Sequence, residues 1–162
     1  GELIGSYRKS HLADYPPLNE GSVITPGNAL RTVEINGIKF GLMICYDLRF
    51  PEISRALALQ GVEVLVLCSA WPFPRLNHWK VLTEARAIEN QIYFIAANRT
   101  GIDGSFVFCG SSRIVDPYGV IVSSAAEDRD ELICGEINPD ILKDVRERMP
   151  IFKHRRTDLY SV

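Results

Sequence analysis

The sequence has no C-x-x-C pair, no long apolar run, no excess of either charge and no methionine at its start. Each absence removes a class of protein. The four cysteines, Cys45, Cys68, Cys109 and Cys134, stand singly, which argues against a zinc knuckle or a redox dithiol. Three of them lie in or near apolar, strand-like runs, where a free cysteine is usually a small buried hydrophobe. A reducing, cytoplasmic setting is the simplest expectation. A net charge of −2 gives no reason to expect nucleic acid or an anionic membrane as partner. No apolar stretch approaches the roughly 20 residues that a membrane helix needs. Gly1-Glu2-Leu3 is not followed by an apolar core segment, so no secretory signal is expected at this start. The only methionines are Met43 and Met149. The expectation is a chain that is processed, cut or part of something larger, and its strand-like opening favours a cut.

What is present fits one soluble domain spanning 1–162, long enough to bury a core. Leu3 to Arg8 reads as a short strand. Residues 10–28 form an irregular stretch broken by Pro16-Pro17, Gly21 and Pro26-Gly27, and a loop that long in a compact domain is more often functional than idle. A hairpin follows: Leu30 to Ile35, the turn Asn36-Gly37, then Ile38 to Cys45. A helix is expected over about Glu52 to Gln60, closed by Gly61. Val62 to Cys68 reads as a strand buried on both faces. The next helix spans about Leu76 to Asn90, with Leu76, Trp79, Leu82, Ala85 and Ile88 as its apolar stripe. Strands are expected at Ile92 to Ala97, near 111–116 and 119–124, and at Glu131 to Ile137, before a charged helix from Pro139 to Met149. This order describes an α/β domain with parallel and antiparallel pairing.

The chemically informative spot is the junction GLMICYDLRFPEI. An apolar strand ends at Cys45 and a helix starts a few residues later, with Asp47 as a cap before Pro51 and Glu52. A thiol at a strand-to-helix turn projects from the carboxyl edge of the sheet, where ligand sites of α/β proteins gather. Helix amides and the helix dipole favour a thiolate there, in a cysteine counterpart of the serine nucleophile elbow. The residues alone leave open whether Cys45 is a nucleophile or a core cysteine at a strand end.

Four motifs in order resemble the nitrilase, or carbon–nitrogen hydrolase, superfamily: YRKSHL at 7–12, Glu20 followed by TPGN, ICYDLRFPE at 44–52 and HWKVLTEARAIENQIY at 78–93. The similarity runs from Tyr7 through the closing MPIFKHRRTDLYSV, and the CYDLRFPE form with the RRTDLY-like tail is most similar to the ω-amidase branch. The resemblance implies a four-layer α-β-β-α sandwich, here incomplete at its amino-terminal end. It implies Cys45 as nucleophile, Lys9 as the triad lysine and Glu20 as the family's second glutamate. The first glutamate, the general base, normally lies upstream of the lysine motif, in a part absent here. The implied reaction is attack of Cys45 on an amide carbon, release of ammonia and hydrolysis of a thioester, with no metal or organic cofactor. The implied substrate is a small carboxylate-bearing amide; N-carbamoyl compounds, deaminated glutathione and nitriles are alternatives within the fold, and a non-catalytic assembly subunit is another. Homodimers or larger homo-oligomers are implied, with segment 150–162 at an interface, and a complementary amino-terminal chain is a further expected partner.

Other residues carry two readings each. Lys9 and Glu20, without the resemblance, are solvated charges. Tyr46, within the elbow motif, is a substrate-binding candidate. Trp71, beyond the VEVLVLC strand at the same sheet edge as Cys45, is equally a pocket wall or core packing. Arg75 is a partner for a substrate carboxylate or an exposed loop arginine. Asp47, Arg49 and Glu52 are expected to hold the elbow, and Arg86 to pair with Glu89 or a neighbouring element. A papain-like pairing of Cys45 with His11, His78 or His154 lacks an evident orienting Asn or Asp.

Overall fold

The computed structural model describes residues 1–160; the last two residues of the tail expected at an interface lie outside them. The hairpin forms as expected, because Asn36 and Gly37 both take positive φ, 52° and 80°, which lets a two-residue turn match the strand twist. It joins β1 (Thr32–Ile35) to β2 (Ile38–Ile44). A short 3₁₀ turn over Cys45–Arg49 leads into α1 (Pro51–Leu59), which opens on its proline and ends before Gly61. Then come β3 (Val64–Ser69), α2 (Leu76–Asn90), β4 (Tyr93–Asn98), β5 (Thr100–Asp103), β6 (Phe106–Cys109), β7 (Arg113–Val115), β8 (Ile121–Ser124) and α3 (Pro139–Arg148).

The main sheet has six strands in the order β1-β2-β3-β4-β7-β8. Its centre, β2-β3-β4, is parallel and its flanks are antiparallel. One face carries α1 and α2 over Met43, Leu65, Leu67 and Phe94, with Leu57 and Trp79 filling the interface from the helices. On the opposite face Leu142 of α3 packs with Val64 and Tyr93. The α/β class expected from the sequence is thus present, as a helical layer on one large sheet.

Four expectations need correction. Residues 3–8 and 131–137 are not strands: an extended run becomes a strand only when a neighbour completes its hydrogen-bond ladder, and neither run has one. Strands β5 and β6, not expected from the sequence, form a separate two-stranded sheet across the turn at Gly104. The apolar stripe of α2 also differs. Its buried residues are Trp79, Thr83, Arg86, Ala87 and Asn90, while Ile88 is exposed. A strict three-residue spacing slips about 60° around a 3.6-residue helix at each step, so it leaves the buried face before reaching Ile88. The polar groups on that face are used: Thr83 and Asn90 bond back to helix carbonyls, and Arg86 reaches out to Leu48. Finally, Cys68 is exposed, not a buried hydrophobe, as is Cys134.

Candidate active site

The carboxyl ends of β2 and β3 open into a cavity of about 990 Å³, the position favoured for ligands in α/β sheets. Cys45 lies on its wall at the first residue of the 3₁₀ turn, with φ of +44°. A non-glycine residue in this region is uncommon and costs backbone energy, and such a bend is what turns a strand-end side chain outward at a nucleophile elbow. Among the described residues the Cys45 thiol makes no hydrogen bond.

Asp47 holds this bend. It is fully buried, and its two oxygens accept from four sites. Oδ2 takes the Ile44 N–H at 3.0 Å and the Tyr7 hydroxyl at 2.8 Å, and Oδ1 takes the His11 N–H at 3.0 Å and lies 2.8 Å from His11 Nδ1. The carboxylate therefore fastens the elbow to the 7–12 segment. The His11 ring stacks on Phe50, with centroids 3.8 Å apart. Burial pushes the Tyr7 hydroxyl up to about 12, and the neighbouring Asp47 charge adds to the effect. From the other side, Arg86 donates two N–H groups to the Leu48 carbonyl, at 3.2 and 3.1 Å, and pairs with Glu89 at 3.0 Å.

The 7–12 segment carries Lys9, only 7% exposed, to the same cavity. Its ammonium donates to both Glu20 oxygens, at 2.7 and 2.5 Å, and Glu20 Oε2 also accepts the Ala13 N–H at 2.7 Å. An ammonium has three donors, and among the described residues the third is unused. Gly27 completes the cradle. Its N–H bonds the Lys9 carbonyl at 2.7 Å, and a Cβ there would come within 2.2 Å of the Arg8 carbonyl oxygen.

Trp71 is both wall and core: it lines the cavity while only 2% exposed, and its ring packs on Trp79. Asn98 pins it, accepting the Trp71 N–H at 2.7 Å and donating to the Gly110 carbonyl at 2.7 Å. Tyr46 and Arg75 also line the cavity. The Arg75 guanidinium lies over Tyr15 at 5.7 Å, and that of Arg49 lies over Trp71 at 4.5 Å and Tyr46 at 5.8 Å. Neither arginine has a carboxylate partner among the described residues. Glu20 is the one carboxylate among the cavity's described residues. All six sequence-derived candidates thus share one cavity. Arg49, expected only to hold the elbow, also lines it, and Asn98 carried no local sequence signal. The papain-like pairing has no support: Asp47 does orient His11, but among the described residues none of His11, His78 and His154 lines the cavity or bonds the Cys45 thiol. Among the described residues no three metal-ligating side chains cluster and no helix is long and apolar enough to cross a membrane.

The carbon–nitrogen hydrolase family matches residues 1–147, and the chain belongs to it. Among curated relatives, a deaminated glutathione amidase from Escherichia coli is 40% identical over 96% of this chain and 59% of its own length. A 2-oxoglutaramate amidase from Bacillus subtilis is 39% identical over 99% of this chain and 61% of its own length. The chain spans about three fifths of the length of these two relatives. The crystal structure of a carbon–nitrogen hydrolase from Helicobacter pylori superposes with a TM-score of 0.93 at 31% identity, covering 98% of this chain and 60% of that one. The nitrilase-type α/β architecture expected from the motifs is therefore the fold of this chain.

Proposed function

We propose that the protein containing this chain is an amidase that cleaves the C–N bond of a small carboxylate-bearing amide through a Cys45 thioester. The observation that carries this reading is the positive-φ bend that presents Cys45 to the cavity holding the Lys9–Glu20 pair. The Cys45 thiolate attacks the amide carbon, and the tetrahedral oxyanion takes the third N–H of Lys9. Glu20 fixes the ammonium in place. The proton taken from the Cys45 thiol by an acid–base glutamate passes to the amide nitrogen; the C–N bond breaks, ammonia leaves and the thioester remains, which water hydrolyses to the free acid. No metal or organic cofactor enters these steps.

Deacylation needs a base to activate the water. Glu20 is engaged by Lys9 and the Ala13 amide, so the reading assigns this role to a further glutamate supplied from outside these residues. A positioned acid–base group contributes about 10²–10⁴-fold, and both acylation and deacylation use it; the chain by itself is expected to be nearly inert. A complementary amino-terminal segment and homo-oligomeric assembly, in a reducing cytoplasmic setting, belong to the same proposal.

The guanidinium groups of Arg49 and Arg75, held over aromatic rings with no acidic partner among the described residues, suit substrate carboxylates, with Tyr46 and Trp71 as walls. Two such groups favour a second reading in which the amide carries two carboxylates, against a monocarboxylate such as 2-oxoglutaramate. Ammonia release measured on a panel of amides, carbamoyl compounds and nitriles separates these. The full protein should release ammonia from a carboxylate-bearing amide and lose that activity with Cys45→Ala. Unchanged turnover in this variant ends the proposal.

A further inference from the structure

Cys68 opens into the same cavity as Cys45. It is an exposed free thiol near the end of β3, and no step of the proposed reaction uses it. In the parallel ladder its partner is Ile44, the residue immediately before Cys45. Ladder partners face the same side of a sheet, and Ile44 and Cys68 both line the cavity. A straight continuation of β2 would send residue 45 to the opposite side. The φ of +44° bends the chain at that point, and Cys45 and Cys68 both line the one cavity. A strand separation of about 4.8 Å and a rise of about 3.3 Å place the two Cα atoms about 6 Å apart. That lies inside the roughly 4.4–6.8 Å range bridged by disulfides.

We propose that Cys45 and Cys68 form a reversible oxidation site, closing to a disulfide under hydrogen peroxide and reopening with a thiol reductant. The Cys45 thiolate attacks one peroxide oxygen; the O–O bond breaks, hydroxide leaves and Cys45 becomes a sulfenic acid. The Cys68 thiol then attacks the Cys45 sulfur; the S–S bond forms, the S–O bond breaks and water leaves with the Cys68 proton. In all, two thiols lose two electrons and one peroxide becomes two waters. The remaining cysteines do not compete. Cys109 is buried, donates to the Trp71 carbonyl, and burial pushes its thiol up. Cys134 is exposed but outside the cavity lining. Closure would block the Cys45 sulfur while sparing it irreversible oxidation. Only this consequence rests on the amidase reading; the bond itself does not.

The test is peptide mass mapping, without reduction, of the full chain after hydrogen peroxide treatment. The expected result is a linked Cys45–Cys68 peptide within one chain that dithiothreitol restores to two free thiols. In Cys68→Ser the same treatment should carry Cys45 on to a sulfinate that dithiothreitol does not reverse. If that variant fails to fold, as judged by its thermal melt, the wild-type map decides by itself. Cys45 sulfinate accumulating in the wild type with no linked peptide, or linkage confined to Cys134 between chains, would overturn the proposal. A linked peptide in a protein that, with its amino-terminal segment present, hydrolyses no amide would leave this site standing and sink the amidase reading.

Discussion

Asp47 joins two parts of the site that the chain separates by 36 residues. Replacing it with Ala leaves the Ile44 and His11 amides without their acceptor, and the Tyr7 hydroxyl with Ser10 Oγ alone. Each stranded donor costs about 1–3 kcal/mol, so a total loss above about 2 kcal/mol is expected in urea denaturation. Asp47→Asn keeps the shape but offers one acceptor oxygen where four donors converge, and a loss of about 2 kcal/mol is expected. Tyr7 adds a pH signature. Its folded hydroxyl holds its proton up to about 12, against an ordinary value of 10.0. Neutral Tyr7 therefore favours the folded state fully below pH 10, and this contribution is lost as the pH rises towards 12. The stability gap between the wild type and Tyr7→Phe should be constant below pH 10 and narrow above it, as read by denaturation at stepped pH. A gap that widens with alkali would contradict the Tyr7–Asp47 bond.

Local elements were readable in the sequence wherever the signal was local. Asn36-Gly37 turns the hairpin, Pro51 starts α1, and the VEVLVLC run becomes a central strand. The run at 131–137 resembled a strand in composition, but among the described residues it pairs in no hydrogen-bond ladder, and sequence pattern alone does not reveal a missing partner. The converse holds for β5 and β6, short runs that become strands by pairing with each other. The irregular 10–28 stretch lies against the lysine segment: Glu20 bonds Lys9 from it, and Gly27 sits against the Lys9 segment. Gly27→Ala would force the Arg8 carbonyl aside. A loss of about 1–3 kcal/mol from overpacking is expected, with looser seating of Lys9. A neutral result in thermal denaturation would mean that the 25–28 loop does not cradle Lys9.

On the scale of the whole molecule, the sheet and helices serve to bring three distant groups to one edge. That Lys9, Glu20 and Cys45 belong together was legible through motif resemblance, since none has a local signal strong enough to outweigh a surface charge or a core thiol. Asp47 holding the elbow and Arg86 pairing with Glu89 were also legible; what the sequence did not give was the reach of Asp47 to the lysine segment, of Arg86 to Leu48 and of Asn98 to Trp71. These contacts link separate elements, and long-range pairing of polar groups leaves no periodic trace along the chain. The central claim is that the fold activates the Cys45 sulfur. Its most direct test is the rate at which iodoacetamide alkylates each cysteine of the folded chain near neutral pH. Cys45 is less exposed than Cys68 and Cys134, so access alone ranks it behind both. Activation at the elbow ranks it first, by at least about tenfold. A Cys45 that reacts no faster than Cys134 would contradict the account.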